Sequence, residues 1–361
     1  MDRRGFLASS ASAALLAGCT TLPRGAAGPG RLCLPRVDVS PSRVIRLVAG
    51  LRPYRRSGFV VRAEPFGDKR LVHNYGHGGS GITLSWGSSK LAVDLGLVDT
   101  SGPVAVIGAG VMGLTTARLA QERGRAVTIY TAALPPDTTS NLAGGQIMPA
   151  LLYRDDSVDD AWRAQLAAAL DYSWRRFQIM VGEDYGVRWL PTYEESGGPA
   201  RWPEGPLHAG AVDLAADRSP WAGRAVERYQ TMYVEMGRYL RQITEDVLTA
   251  GGRIEVRAFA SPAEIAALPE RTVFNCTGLG ARALFGDDQL VPMRGQLAVL
   301  LPQPEIAYAY ELAGGYMFAR PDGILLGGTY ERGEELAETT PEAIARILAA
   351  HAEIAQAGCT P

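Results

Sequence analysis

An apolar strand, Val104–Ile107, runs directly into Gly108-Ala109-Gly110-Val111-Met112-Gly113. A helical pattern then reaches about Gly124, and a second apolar strand follows at 127–130. That strand–turn–helix–strand order defines a βαβ unit, and the glycine spacing of its turn has physical causes. Gly108 permits the tight turn, Gly110 lets backbone amides approach a pyrophosphate, and Gly113 lets the helix lie close on the strand. The helix N-terminus adds unpaired N–H groups and the positive end of a dipole. Gly108, Ala109, Gly110, Val111, Met112 and Gly113 are therefore expected to hold the phosphates of a dinucleotide. One usual part is missing. Such folds place an acid about 20 residues on, at the end of the second strand, for the ribose hydroxyl. Here the chain reads Tyr130-Thr131-Ala132-Ala133, so the ribose needs another partner, water or backbone.

A second glycine-rich loop, His73-Asn74-Tyr75-Gly76-His77-Gly78-Gly79-Ser80-Gly81-Ile82-Thr83, also precedes a helix, which runs to about Leu95. Its backbone can lie flat against a ligand, with helical N–H groups pointing at negative charge. Two such loops in one protein imply a ligand with two ends to hold. FAD meets that description, with its pyrophosphate at one loop and its isoalloxazine ring at the other.

These residues resemble the D-amino-acid oxidase family. Val72-His73-Asn74-Tyr75-Gly76-His77-Gly78-Gly79, continuing through Gly81 and Trp86-Gly87, is similar to the family signature. The turn at Gly108 to Gly113 matches its dinucleotide turn. Thr138-Thr139-Ser140-Asn141-Leu142-Ala143-Gly144-Gly145 resembles its flavin loop. Asn275-Cys276-Thr277-Gly278 and Arg294-Gly295-Gln296 resemble its central FAD segment, and Leu51-Arg52-Pro53 with Tyr316 its substrate-carboxylate pair. The resemblance covers roughly residues 43–361. It implies cofactor contacts from Gly78, Gly79, Ser80, Gly81, Ile82, Thr83, Thr138, Thr139, Ser140, Gly144, Gly145, Gln146, Thr277 and Gly278, in addition to the dinucleotide turn. Thr83 would meet the pyrimidine end of the flavin. The order of segments differs from the family, where the Arg-Pro and His-Asn-Tyr-Gly segments end the chain. Here they come first, so the chain resembles a circular permutation of the family. The joined ends must then stay neighbours, which brings residues near 40 and 360 together and puts Cys33 and Cys359 within reach of a disulfide, with free thiols as the alternative.

The resemblance also implies a chemistry. Arg52 offers two parallel donors that match a carboxylate, and Tyr316 adds a third hydrogen bond to the same group. These would hold the α-carboxylate of a D-amino acid with its Cα–H toward flavin N5. Hydride leaves as the free amine donates electron density; the imino acid then hydrolyses to a 2-oxo acid and ammonia. Dioxygen takes the electrons and yields hydrogen peroxide. Tyr54 is a further residue within reach of this pocket. His73 and His77 are expected to serve the loop's hydrogen bonding. Met148 and Asn141 stand where the family often has Gln and Asp, close to the expected active site. D-aspartate, glycine and sarcosine keep the same carboxylate logic, and Arg320 is the nearby cation that a second carboxylate would need. A dehydrogenase feeding another acceptor and a non-catalytic flavin-binding lipoprotein are the rival readings.

Composition fits an enzyme of this kind. The 361 residues are 47% hydrophobic with a net charge of -2, and their acids and bases are mixed, which argues against a nucleic-acid surface. None of the 4 cysteines or 4 histidines has metal-ligand spacing. Arg3-Arg4-Gly5-Phe6-Leu7 and the short apolar run after it resemble a twin-arginine export signal. Leu16-Ala17-Gly18-Cys19 resembles a lipoprotein cleavage box with Cys19 lipidated, which implies an exported, periplasmic, membrane-anchored protein.

The expected fold class is α/β, α+β overall: a Rossmann-type FAD-binding domain interleaved with a mixed, largely antiparallel-sheet substrate domain. The expected layout is a signal at 1–19, a tether at 20–41, substrate-domain strands at 42–71, and FAD-binding segments at 72–159 and 230–282. Substrate-domain segments fill 160–229 and 283–361. Helices are expected at 160–181, 230–250 and 341–356. Strands are expected at 43–64, 253–259, 272–276, 295–301, 307–319 and 323–330, with a helical turn at 262–267.

Overall fold

The computed structural model describes residues 31–197 and 206–361. The segment that resembles an export signal, and Cys19, lie outside the described residues.

The first half of the chain runs β1 (Val44–Arg55), β2 (Val60–Phe66), β3 (Lys69–Tyr75), α1 (Gly81–Gly96), β4 (Val104–Ile107), α2 (Val111–Glu122), β5 (Val127–Thr131) and α3 (Asp160–Gln178). It continues with β6 (Val187–Glu195), β7 (Ala209–Leu214), β8 (Val226–Val234), α4 (Met236–Thr249), β9 (Arg253–Val256), α5 (Pro262–Ala266), β10 (Thr272–Asn275) and α6 (Gly280–Phe285). The last part is β11 (Leu290–Leu300), β12 (Ala309–Leu312), β13 (Gly315–Arg320), β14 (Gly323–Gly327), β15 (Glu331–Arg332) and α7 (Pro341–Ala357).

Among the described residues these strands form two sheets. One has six strands in the order β2-β3-β10-β4-β5-β9. Its strands are parallel except for β2, which is antiparallel to β3. The short apolar runs of β4 and β10 are buried at every position, as a parallel sheet covered on both faces requires. Alternate residues serve opposite cores. Val72, Val104, Val106 and Phe274 join Leu84, Leu114 and Leu240 from α1, α2 and α4. Leu71, Ala105, Ile107 and Val273 meet Ile265 and Leu268 on the other side.

The second sheet has nine strands in the order β1-β11-β14-β13-β12-β6-β8-β7, with β15 also on β11. One face carries Tyr310, Met317, Ile324 and Leu326 against Ile344, Ile347 and Ile354 of α7. The other face carries Leu190, Tyr233, Leu297, Phe318 and Leu325. β1 is antiparallel to β11 along its whole length, with Arg52 opposite Met293 and Gly50 opposite Gly295.

The outcome matches the expected fold class, with local differences. Residues 226–234, expected in part as the start of a helix, form strand β8, and the helix begins at Met236. β9 stops at Val256, and β2 with β3 joins the six-stranded sheet instead of the sheet that holds β1. Near the ends of the described chain, Cys33 and Cys359 form a disulfide with their Cα atoms 4.9 Å apart. Leu34 N donates to Cys359 O at 3.2 Å beside it, so the residues next to the C-terminal end are 33 and 34, several positions before the expected residue 40.

Candidate active site

A cavity of about 1190 Å³ extends from the C-terminal ends of β4 and β5 to β1 and β13 of the larger sheet. That exceeds the few hundred to about 1,000 Å³ of an ordinary small-molecule pocket. α1 and α2 both begin on its wall, where Gly81, Ile82, Val111 and Met112 are exposed to it. Neither N-cap, Ser80 or Gly110, satisfies its helix through a side chain, so two helix N-termini with their partial positive charge meet one void.

The dinucleotide turn is held from three sides. Gly108 has φ +109°, and a Cβ there would lie 2.6 Å from Cys276 O. Ala109 N donates to Thr131 Oγ1 at 3.1 Å, which ties the turn to the end of β5. Val111 N donates to Ser140 Oγ at 3.0 Å. Gly108, Ala109, Gly110, Val111 and Met112 line the cavity. Gly113 does not; a Cβ on it would meet Gly108 O at 1.8 Å, which is the close packing expected of it.

Thr138, Thr139, Ser140, Gly144, Gly145 and Gln146 also line the wall, as do Gly78, Gly79, Thr277 and Gly278. Ser80 and Thr83 do not. Ser80 Oγ donates to Ala150 O at 2.9 Å and accepts from Ala150 N at 2.8 Å. Thr83 Oγ1 donates to Met148 O at 3.0 Å. Both hydroxyls therefore clamp the glycine loop to residues 146–150 instead of facing the void. Where the ribose acid is absent at Ala132, the wall carries Asp137 and Arg257.

The two loop histidines differ. His73 is in the core, bonded through Nδ1 to Asn275 Nδ2 at 2.9 Å and through Nε2 to Glu64 Oε1 at 3.1 Å. Since the Asn275 amide donates, Nε2 carries the proton toward Glu64. His77 lines the cavity and stacks on Phe59 with centroids 5.1 Å apart. Burial lowers its pKa to about 3. Its Nε2 is buried and has no partner in the protein.

At the far end, Arg52 of β1 and Tyr316 of β13 share the wall. Arg52 Nη1 donates to Thr329 O at 3.2 Å, and its guanidinium lies over the Tyr330 ring, 5.3 Å from the centroid. Burial pushes the Tyr316 phenol up to about 12, while the guanidinium of Arg52 pulls the other way. The phenol is neutral at physiological pH and can donate. Glycines make room for both side chains: a Cβ on Gly295 would lie 2.3 Å from both Arg52 Nη atoms, and one on Gly327 2.1 Å from Tyr316 Cζ. Sequence alone does not single out Gly327, Gly328 or Tyr330. The only signal for them was the Gly327-Gly328 doublet, whose meaning depends on which residues stand opposite.

Three expectations for this end change. Tyr54 is buried beneath the Arg332 guanidinium, 4.6 Å from its ring centroid, and off the cavity wall. Arg320 is held by Asp322 through Nε–Oδ1 at 2.7 Å and Nη2–Oδ2 at 2.5 Å, and it too is off the wall. Asn141 accepts from Thr138 Oγ1 at 2.8 Å and does not line the cavity, whereas Met148 does.

A doubly wound sheet with a glycine turn, joined to a large antiparallel sheet over one elongated cavity, defines a dinucleotide-cofactor oxidoreductase. The sequence pattern of the family described as FAD dependent oxidoreductase matches residues 30–95 and 103–357. A D-amino-acid oxidase of Streptomyces coelicolor is 35% identical over 268 residues, covering 69% of this chain and 77% of that protein. A D-amino-acid oxidase of Rubrobacter xylanophilus is 30% identical over 255 residues, covering 67% and 74%. Among solved structures, iminodiacetate oxidase from Chelativorans sp. BNC1 aligns with a TM-score of 0.54 at 18% identity, covering 70% of this chain and 79% of that one, a likeness of fold. The chain belongs to the family of FAD-dependent oxidoreductases, and its cofactor is FAD. The cavity fits that cofactor, with the N-terminus of α2 open to it for the phosphates, the N-terminus of α1 for the flavin end, and an unpartnered buried imidazole nitrogen on its wall.

Proposed function

We propose that the protein oxidises D-amino acids to 2-oxo acids and ammonia, with hydrogen peroxide as the second product. The observation that carries this reading is the meeting of Arg52 and Tyr316 at one end of the cofactor cavity, from strands far apart in the chain. A guanidinium beside a neutral phenol forms a carboxylate site with three donors. Gly295 leaves Arg52 room to lie flat, and Tyr330 covers one face of the guanidinium, which lowers the local dielectric and strengthens its hold on an anion. Bound FAD supplies the hydride acceptor, and dioxygen carries the electrons onward. The protein contributes orientation: a carboxylate fixed by three donors leaves one enantiomer able to direct its Cα–H at the cofactor. His77 stays neutral and adds no charge to the cavity at working pH.

The test is anaerobic addition of single amino acids to the FAD-loaded protein. D-alanine or another neutral D-amino acid should bleach the visible flavin band, the L-enantiomer should not, and air should restore colour with peroxide release. Arg52→Leu should lower kcat/KM by about 10² or more, with Arg52→Lys intermediate, because a lost charged partner costs a few kcal/mol. A spectrum unchanged by every D-amino acid overturns the reading. Bleaching by glycine or sarcosine alone reassigns the substrate, and turnover with a dye but no peroxide reassigns the acceptor. D-aspartate is disfavoured by the engagement of Arg320 with Asp322.

The reading includes export to the periplasm with a lipid on Cys19. The twin arginines and the lipid-box pattern support it, and so does the Cys33–Cys359 disulfide, a bond that persists in oxidising compartments. Cell fractionation should find the protein with membranes and Cys19→Ser in the soluble periplasm. It also includes the permuted order. Support comes from β1 and β3, early in the chain, pairing with β11 and β10, late in it, and from the neighbouring ends. A re-linked gene that joins residue 361 to residue 31 and opens the chain within 97–103 should still yield an FAD-binding protein.

A further inference from the structure

We propose that His351 is a positioning residue for the carboxylate site, bracing it from the opposite face of the sheet; this rests on the reading of Arg52 and Tyr316 given above. His351 is on α7 and is 1% exposed. Its Nε2 lies 2.8 Å from Gly327 O and its Nδ1 2.8 Å from the Tyr310 hydroxyl. A carbonyl can only accept, so Nε2 carries the proton and Nδ1 accepts from Tyr310. Burial lowers the pKa of the ring to about 4, which preserves this neutral tautomer.

The two partners are on different strands. Gly327 ends β14 and Tyr310 is in β12, and β13 runs between them. β13 carries Tyr316, which stands opposite Gly327 in the register and opposite Glu311 on the other side. One imidazole therefore straddles the strand that presents the phenol and ties both of its neighbours to α7. The hold on Gly327 matters because that residue has no side chain of its own to fix the peptide. The 327–328 backbone is the floor under Tyr316: a Cβ on Gly327 would come 2.1 Å from Tyr316 Cζ, and one on Gly328 2.8 Å from its hydroxyl oxygen. A tilt of that peptide moves the phenol, and with it the third donor to the substrate carboxylate. Gly315, at the start of β13, is also against the ring, since a Cβ there would lie 3.0 Å from His351 Nε2.

The test uses the FAD-loaded protein and benzoate, a monocarboxylate without an amine, read by its perturbation of the visible flavin spectrum. His351→Leu should weaken benzoate about tenfold and raise the KM for a D-amino acid in proportion, while kcat at saturation and the Kd for FAD change less than twofold. His351→Gln, which keeps an N–H donor for Gly327, should recover most of the affinity. Tyr310→Phe should show a smaller loss and covers the case in which the leucine variant fails to fold. Benzoate binding unchanged in His351→Leu, or in both His351→Gln and Tyr310→Phe when the leucine variant cannot be isolated, overturns the proposal. So does a loss that FAD affinity shares equally, the mark of general loosening. Failure of benzoate to bind the unaltered protein would instead count against the carboxylate site itself.

Discussion

Arg52 reaches its place because Gly295, opposite Gly50 on the paired strand β11, leaves a slot that any side chain would fill. Gly295→Ala should therefore cost more activity than stability. We expect kcat/KM to fall about 10²-fold with little change in FAD affinity, measured by steady-state kinetics alongside flavin titration. A second residue-scale expectation concerns pH. His77 and His351 titrate near 3 and 4 when folded, below the ordinary 6.5. The unfolded chain takes up these two protons as pH falls below about 6.5 while the folded chain does not, so stability declines from there toward pH 4. Urea unfolding midpoints from pH 7 to pH 4 should fall, and a His351→Gln variant should show a shallower decline. Arg52 and Tyr316 were legible because they stand in motifs. Gly327, Gly328 and His351 were not, since their meaning lies in cross-strand register and in a helix packed behind the sheet, neither of which leaves a local pattern.

The βαβ unit of β4, α2 and β5 was readable because a buried parallel sheet demands continuous apolar runs and the turn demands glycine at fixed offsets. The boundary between β8 and α4 is hidden in the sequence because only Glu235 separates the two elements, with no glycine or proline between them to mark the change. The glycine loop before α1 depends on a clamp that spacing could not reveal. Ser80 exchanges two hydrogen bonds with Ala150, on a segment distant in sequence. Ser80→Ala should release the loop, lowering stability by about 1–3 kcal/mol as two backbone groups lose a buried partner. It should also weaken FAD severalfold, as seen by thermal melting and by fluorescence quenching on titration.

Over the whole molecule, the Cys33–Cys359 bond closes a loop with a sequence separation of 326 residues. Chain-entropy reasoning gives such a closure up to about 6 kcal/mol, less whatever order the open chain retains. Reduction, or Cys33→Ser, should lower the melting temperature by several degrees and expose residues 31–36 to proteolysis, while the flavin spectrum stays the same. Sequence could propose this bond only through chain order, because each thiol alone carries no record of its partner.

The 1190 Å³ void between the two sheets has a further consequence. In most proteins of this size the middle is filled by the chain itself. Here bound FAD completes the interior, so the holoprotein should melt at a higher temperature than the stripped chain, by an amount that grows with free cofactor concentration.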